Sequence, residues 1–168
     1  MQIDPLSMHM KDSSMKSLKR GLLTLIAAVA LHGAALAQER GTRDEARAMV
    51  DAAVEHIKQV GPDRAFKDFT DKTNPAWQKK DLYVFAYALD GLNVGHGANE
   101  KLIGKNLIEM RDPNGKFLIK ELRDTAVNGG GWVEYEWPHP QTRKIEAKAS
   151  YVRRTIKFEG FLGVGVYR

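Results

Sequence analysis

Between residues 42 and 59 the apolar side chains of Ala46, Met49, Val50, Ala53, Val54 and Ile57 recur at three- and four-residue spacing, which places them on one stripe of an amphipathic helix. Thr42 or Asp44 supplies its cap and Gly61-Pro62 its stop. A short second helix is predicted from Pro62 or Asp63 to Phe69, burying Ala65, Phe66 and Phe69, before Asn74-Pro75 breaks the chain. The period then shifts to two. Residues 82–89 are rich in aromatic and β-branched side chains and run through Asp90-Gly91 into residues 92–96, the pattern of two strands joined by a tight turn. After an irregular stretch, a helix is predicted from residue 112 to about 128, with Pro113 in its first turn and Phe117, Leu118, Leu122 and Val127 on its apolar side. Asn128 and three glycines stop it, and strands follow at 132–137, 145–153 and 160–167. In the first of these, Glu134 and Glu136 alternate with Val133, Tyr135 and Trp137, giving one wet and one packed face. The order predicts an α+β domain: an antiparallel sheet of about five strands, a long N-terminal helix, and further helices and loops covering one face.

The chain has 168 residues, room for one ordinary domain, and it contains no cysteine. Disulfides, thiolate nucleophiles and Cys-ligated metals are thereby excluded. Lys16, Lys19 and Arg20 precede an apolar run that closes on Ala35-Leu36-Ala37, the order of a secretory signal peptide. We therefore expect residues 1–37 to be an N-terminal extension and a cleaved leader, with cleavage after Ala37 and translation starting at Met15. Residues 38–168 form the mature domain, placed in the periplasm or secreted. Cleavage removes four of 26 basic and two of 21 acidic residues, so the formal charge of +5 falls to +3 on 131 residues. Those charges are interspersed, and a nucleic-acid partner is not expected.

Six segments resemble one known family, the single Cache domains, which are PAS-like extracytoplasmic sensor modules. They are Lys80-Asp81-Leu82-Tyr83-Val84-Phe85, Asp90-Gly91 with Gly95-His96-Gly97-Ala98-Asn99, and Leu102-Ile103-Gly104-Lys105-Asn106-Leu107, followed by Asp112-Pro113-Asn114-Gly115-Lys116-Phe117, residues 131–138 and Lys148-Ala149-Ser150-Tyr151-Val152. The resemblance implies a PAS-like fold that binds a small molecule, often a short organic acid, between the sheet and its covering helices and loops. In most relatives the domain belongs to a chemoreceptor or histidine kinase. Because the sequence stops at Arg168 directly after its last strand, a stand-alone exported form is expected.

A pocket for a small carboxylate needs apolar walls and a few convergent donors. Tyr83, Phe85 and Tyr87 share one side of their strand, and Val133, Tyr135 and Trp137 share one side of theirs. Lys148, between Ala147 and Ala149, either pairs with a ligand carboxylate or extends to solvent. His96, between two glycines, either meets ligand or packs in a turn. The expected ligand-binding set is Lys148 as electrostatic anchor, Tyr83, His96, Tyr135 and Tyr151 as orienting donors, and Lys116 and Trp137 as weaker candidates. Ordinary packing is the competing explanation for the aromatic members. His139, between two prolines, is assigned to a connecting loop with no functional role. No nucleophile elbow, phosphate loop or His-Glu-x-x-His pair occurs in the mature chain, so neither catalysis nor a cofactor or metal is expected. The expected function is ligand sensing in signal transduction, with a membrane receptor as a further partner and a monomer or a homodimer through the first helix. The alternatives are a protein-interaction or accessory module of such a receptor and a small enzyme.

Overall fold

The computed structural model describes residues 39–168; the leader, its cleavage point and the start at Met15 lie outside the described residues. Helix α1 (Arg43–Val60) begins with a capping box in which the Thr42 side chain accepts from the Glu45 amide and the Glu45 carboxylate accepts from the Thr42 amide. Its buried residues are the six-member stripe read from the sequence. Helix α2 (Pro62–Thr70) follows after Gly61, with proline in its first turn.

The sheet contains β1 (Gln78–Lys79), β2 (Leu82–Ala88), β3 (Asn93–His96), β4 (Gly131–Pro138), β5 (Ile145–Arg154) and β6 (Gly160–Tyr167). All pairings are antiparallel, in the order β1-β2-β6-β5-β4, and β3 also lies along β2. The chain therefore has an α+β, PAS-like architecture with six strands; the two-residue β1 is too short to leave a periodic signature. A one-turn 3-10 helix (Glu100–Leu102) follows β3, and helix α3 (Leu118–Val127) precedes β4.

Strands β2 and β6 are central and buried on both faces. Leu82, Val84 and Ala86 of β2 join Leu162, Val164 and Val166 of β6 in a core packed against α1 and α2. The intervening Tyr83, Phe85 and Tyr87, with Phe161 and Tyr167, pack on the other side against Leu118, Ile119, Leu122 and Ala126 of α3. The expectation of helices on a single face thus holds for α1 and α2, whereas α3 covers the opposite face. A helical stripe specifies that one side is buried, but not which side of the sheet buries it.

Helix α3 also starts later than the predicted residue 112. The Asp112 carboxylate accepts from the amides of Asn114 and Lys116, each at 2.9 Å, and Gly115 turns the chain at φ 82°. This side-chain turn takes the amides that a helix would have aligned, and places Lys116 outside the helix. His139 lies in the connection after β4, as expected, but it is buried there, 1% exposed.

Candidate functional site

Period-two alternation builds the site. Tyr83, Phe85 and Tyr87 from β2, Tyr135 and Trp137 from β4, Lys148 from β5 and His96 from β3 line a cavity roofed by Leu118, Ile119 and Leu122 of α3. The space free of atoms, mouth included, is about 230 Å³. Its interior is narrow, with room for little more than one water. The floor is hollow because β6 places Gly163 and Gly165 on this face between Phe161 and Tyr167. A methyl group on Gly165 would occupy the space of Lys148 Cε and Ser150 Oγ, so the glycine makes room for the lysine stem.

Lys148 is 2% exposed. Its ammonium donates to Tyr83 Oη at 2.7 Å. Tyr83 and Tyr167 hydroxyls lie 3.1 Å apart, and Tyr167 donates to the Pro138 carbonyl at 2.9 Å, which orders the donors outward from the lysine. The remaining N–H groups of Lys148 face aromatic rings, with Tyr83 and Tyr167 centroids at 4.1 and 4.7 Å. Ring faces attract the cation, but they do not replace the oxygen acceptors of its lost hydration shell. No carboxylate forms an ion pair with it among the described residues. Burial consequently pushes the Lys148 ammonium well below its usual pKa, against a weaker opposing pull from Asp81. Burial likewise raises the Tyr83 and Tyr135 hydroxyls, so both remain neutral donors. Tyr135 Oη is paired with Ser150 Oγ at 2.7 Å.

His96 Nδ1 accepts from the Asn99 amide at 3.0 Å, which assigns the proton of the neutral ring to Nε2. Burial, reinforced by Lys148, lowers its pKa to about 3. The unfolded chain binds this proton below about pH 6.5 and the folded one does not, so stability is full above 6.5 and declines as the pH falls towards 3. The expected contribution is about 1.4 kcal/mol per pH unit within that window. In carboxylate-free buffer, acid unfolding of His96→Gln should lack this slope; parallel stability curves for the two proteins between pH 6.5 and 4 would refute the assignment.

Five of the residues singled out in the sequence, Tyr83, His96, Tyr135, Trp137 and Lys148, therefore line one cavity. Tyr151 does not join them. It lies on the α1 face, against Trp132 and beneath the Arg47 guanidinium. Lys116 sits in an outer cleft, donating to the Glu134 carbonyl at 2.6 Å and pairing with Glu121 at 3.2 Å. Sequence reasoning left out Tyr167, the α3 roof and the two floor glycines. It also missed a buried pair beside them: Asp81 Oδ1 accepts from the Gly41 amide at 2.6 Å, while Asp81 Oδ2 faces His139 Nε2 at 3.7 Å. His139 stacks edge-on against Tyr167. Among the described residues no group of three or more His, Cys, Asp or Glu side chains is arranged to hold a metal.

An antiparallel sheet with one face devoted to a core and the other to a small polar-tipped aromatic pocket defines a PAS-like sensory domain. The family model of single Cache domain 2 matches residues 10–168, and the chain belongs to that family. It is 40% identical over 88 residues to the sensor histidine kinase MctS of Rhizobium johnstonii, a match covering 52% of this chain and 19% of the kinase. The matched stretch is thus about a fifth of that relative's length. A solved methyl-accepting chemotaxis protein from Vibrio parahaemolyticus superimposes with a TM-score of 0.65 at 26% identity, over 90% of this chain and 96% of that one. A Cache chemosensory domain described for carboxylic acid recognition shares the fold, with a TM-score of 0.57 at 23% identity over 96% and 99% of the two chains. Cache domains are extracytoplasmic ligand-binding modules of sensor kinases and chemoreceptors, and they are not catalytic. Among the described residues no helix is long and apolar enough to cross a membrane.

Proposed function

We propose that this domain senses a short organic acid in the periplasm, after export through the leader of residues 1–37, and passes its ligand state to a membrane receptor. Lys148 carries the reading: a buried ammonium with one hydroxyl acceptor and no anionic partner among the described residues is incomplete without an anion. A ligand carboxylate supplies the oxygens its free N–H groups lack. His96 Nε2–H is a second, uncharged donor on the cavity wall, and the α3 leucines and Phe85 accept a short alkyl or acyl body. The narrow interior favours a small acid. Carboxylic acid recognition by a Cache domain of the same fold supports this class of ligand.

Thermal unfolding in the presence of acetate, propionate, butyrate, pyruvate and lactate, with neutral amides of matching size as controls, tests the proposal. An acid present at about 100 times its dissociation constant should add about 2.7 kcal/mol of stability, whereas the amides should add little. If no acid shifts the transition, the carboxylate reading fails and a protein partner becomes the better account of the aromatic surface.

A further inference from the structure

The pocket interior is narrow, and two surface chambers share wall residues with it. One is lined by Tyr135 and Lys148 themselves, together with Asp112, Lys116, Glu134, Glu136 and Arg168. The other adjoins Tyr83, His96 and Trp137 and is completed by Asn99, His139 and Arg143.

Charge distinguishes them. In the first chamber Lys116 is bound to Glu121 and to the Glu134 carbonyl, and Arg168 is paired with Glu134. Asp112 and Glu136 bring the acidic groups of its lining to three, against the three basic groups Lys116, Lys148 and Arg168, so that opening has no net positive charge to draw an anion. The second chamber has no carboxylate among its lining residues. Arg143 is exposed at its rim and makes no ion pair among the described residues. Its backbone is left-handed, at φ 63°, and its amide donates to the His139 carbonyl at 3.0 Å. This left-handed residue closes the turn between β4 and β5 at the edge of the chamber. Between this rim and the pocket stand His96 and Trp137, stacked with centroids 6.5 Å apart, and Tyr83, 5.0 Å from His96.

We propose that short carboxylates enter through the second chamber, where the Arg143 guanidinium is the first contact and the stacked His96 and Trp137 rings form the gate to Lys148. The proposal rests on the carboxylate reading above. One path then offers a donor at each stage: an exposed guanidinium draws the anion from solvent, the neutral His96 Nε2–H meets it at the gate, and the buried Lys148 retains it. An exposed charge of this kind acts on the association rate and is screened by salt.

Temperature-jump relaxation of tryptophan fluorescence, with propionate as probe, separates association from dissociation. Equilibrium titration of the wild type with acetate, propionate and butyrate comes first; absence of binding there is a failure of the carboxylate reading and not of the entry route. If binding is present, Arg143→Gln should lower the association rate about fivefold at low ionic strength and flatten its salt dependence, with the dissociation rate unchanged. Arg143→Lys should restore the rate. Arg168→Gln, on the other chamber, should leave both rates at wild-type values. The proposal is overturned if Arg143→Gln associates normally, if its effect falls on dissociation, or if Arg168→Gln is the variant that slows entry. Unchanged melting temperatures for the variants verify that the fold is intact.

Discussion

Lys148→Met should raise the stability of the empty domain while removing its affinity for carboxylates. The two effects have opposite signs because one group causes both. Methionine follows the path of the lysine stem past Gly165 and between the rings of Tyr83 and Tyr167, but it has no ammonium to desolvate. Replacing a buried, uncompensated cation with an apolar side chain of similar shape should contribute on the order of 2 kcal/mol, or roughly 5–10 °C in Tm for a domain of this size. The affinity for a carboxylate should fall about a hundredfold, the loss of a buried charge-assisted hydrogen bond. Calorimetric unfolding and titration of the same preparation measure both. A variant that melts lower than wild type and still binds would show that Lys148 is structural.

The wild-type protein adds a pH signature. The lysine loses its proton at lower pH in the folded domain than in the unfolded chain, whose lysines titrate near 10.4. Between those two points the unfolded state binds more protons, so the stability of the empty domain rises with pH across the window and levels off above about 10.4. Lys148→Met should lack that rise. A bound carboxylate favours the ammonium, so its affinity weakens as pH climbs through the same window.

Gly165→Ala should impair binding more than folding. Gly165 lies in an ordinary strand conformation opposite Ser150, and the added methyl group meets Lys148 Cε and Ser150 Oγ. Both are ends of side chains that can rotate away, so the stability cost should be about 1–2 kcal/mol. The lysine, however, can yield only by moving out of its contact with Tyr83 Oη, and affinity should drop at least about tenfold. Gly163→Ala provides the contrast. Its methyl group would lie 2.7 Å from Val152 Cγ1 and 2.8 Å from the Tyr151 carbonyl, and a strand carbonyl cannot step aside, so folding should suffer more than in Gly165→Ala. Urea unfolding with parallel titrations distinguishes the cases; wild-type affinity in Gly165→Ala would mean that the lysine position is not critical.

Much of this arrangement was legible along the chain because sheets translate sequence parity into sidedness. Tyr83, Phe85 and Tyr87 could be assigned to one face, and a charged residue between alanines on a strand marked Lys148 as unusual. The same parity separates Lys148 and Ser150 from Tyr151, which the family resemblance had grouped together. Gly163, Gly165 and Tyr167 also share parity, but their role depends on β6 lying between β2 and β5, a long-range pairing that no local pattern encodes. The start of α3 was missed because the carboxylate of Asp112 competes for amides that proline and periodicity alone would assign to a helix. His139 reads as a loop residue between prolines; its burial depends on Asp81, far away in sequence.

The two-sided character of β2 and β6 also bears on how such a domain can diversify. Odd-numbered positions in β2 face the ligand pocket and even-numbered ones face the packing against α1 and α2. Exchanges at the first set can alter recognition while the second continues to hold the fold, so a lineage can explore new chemical cues without first having to rebuild its scaffold.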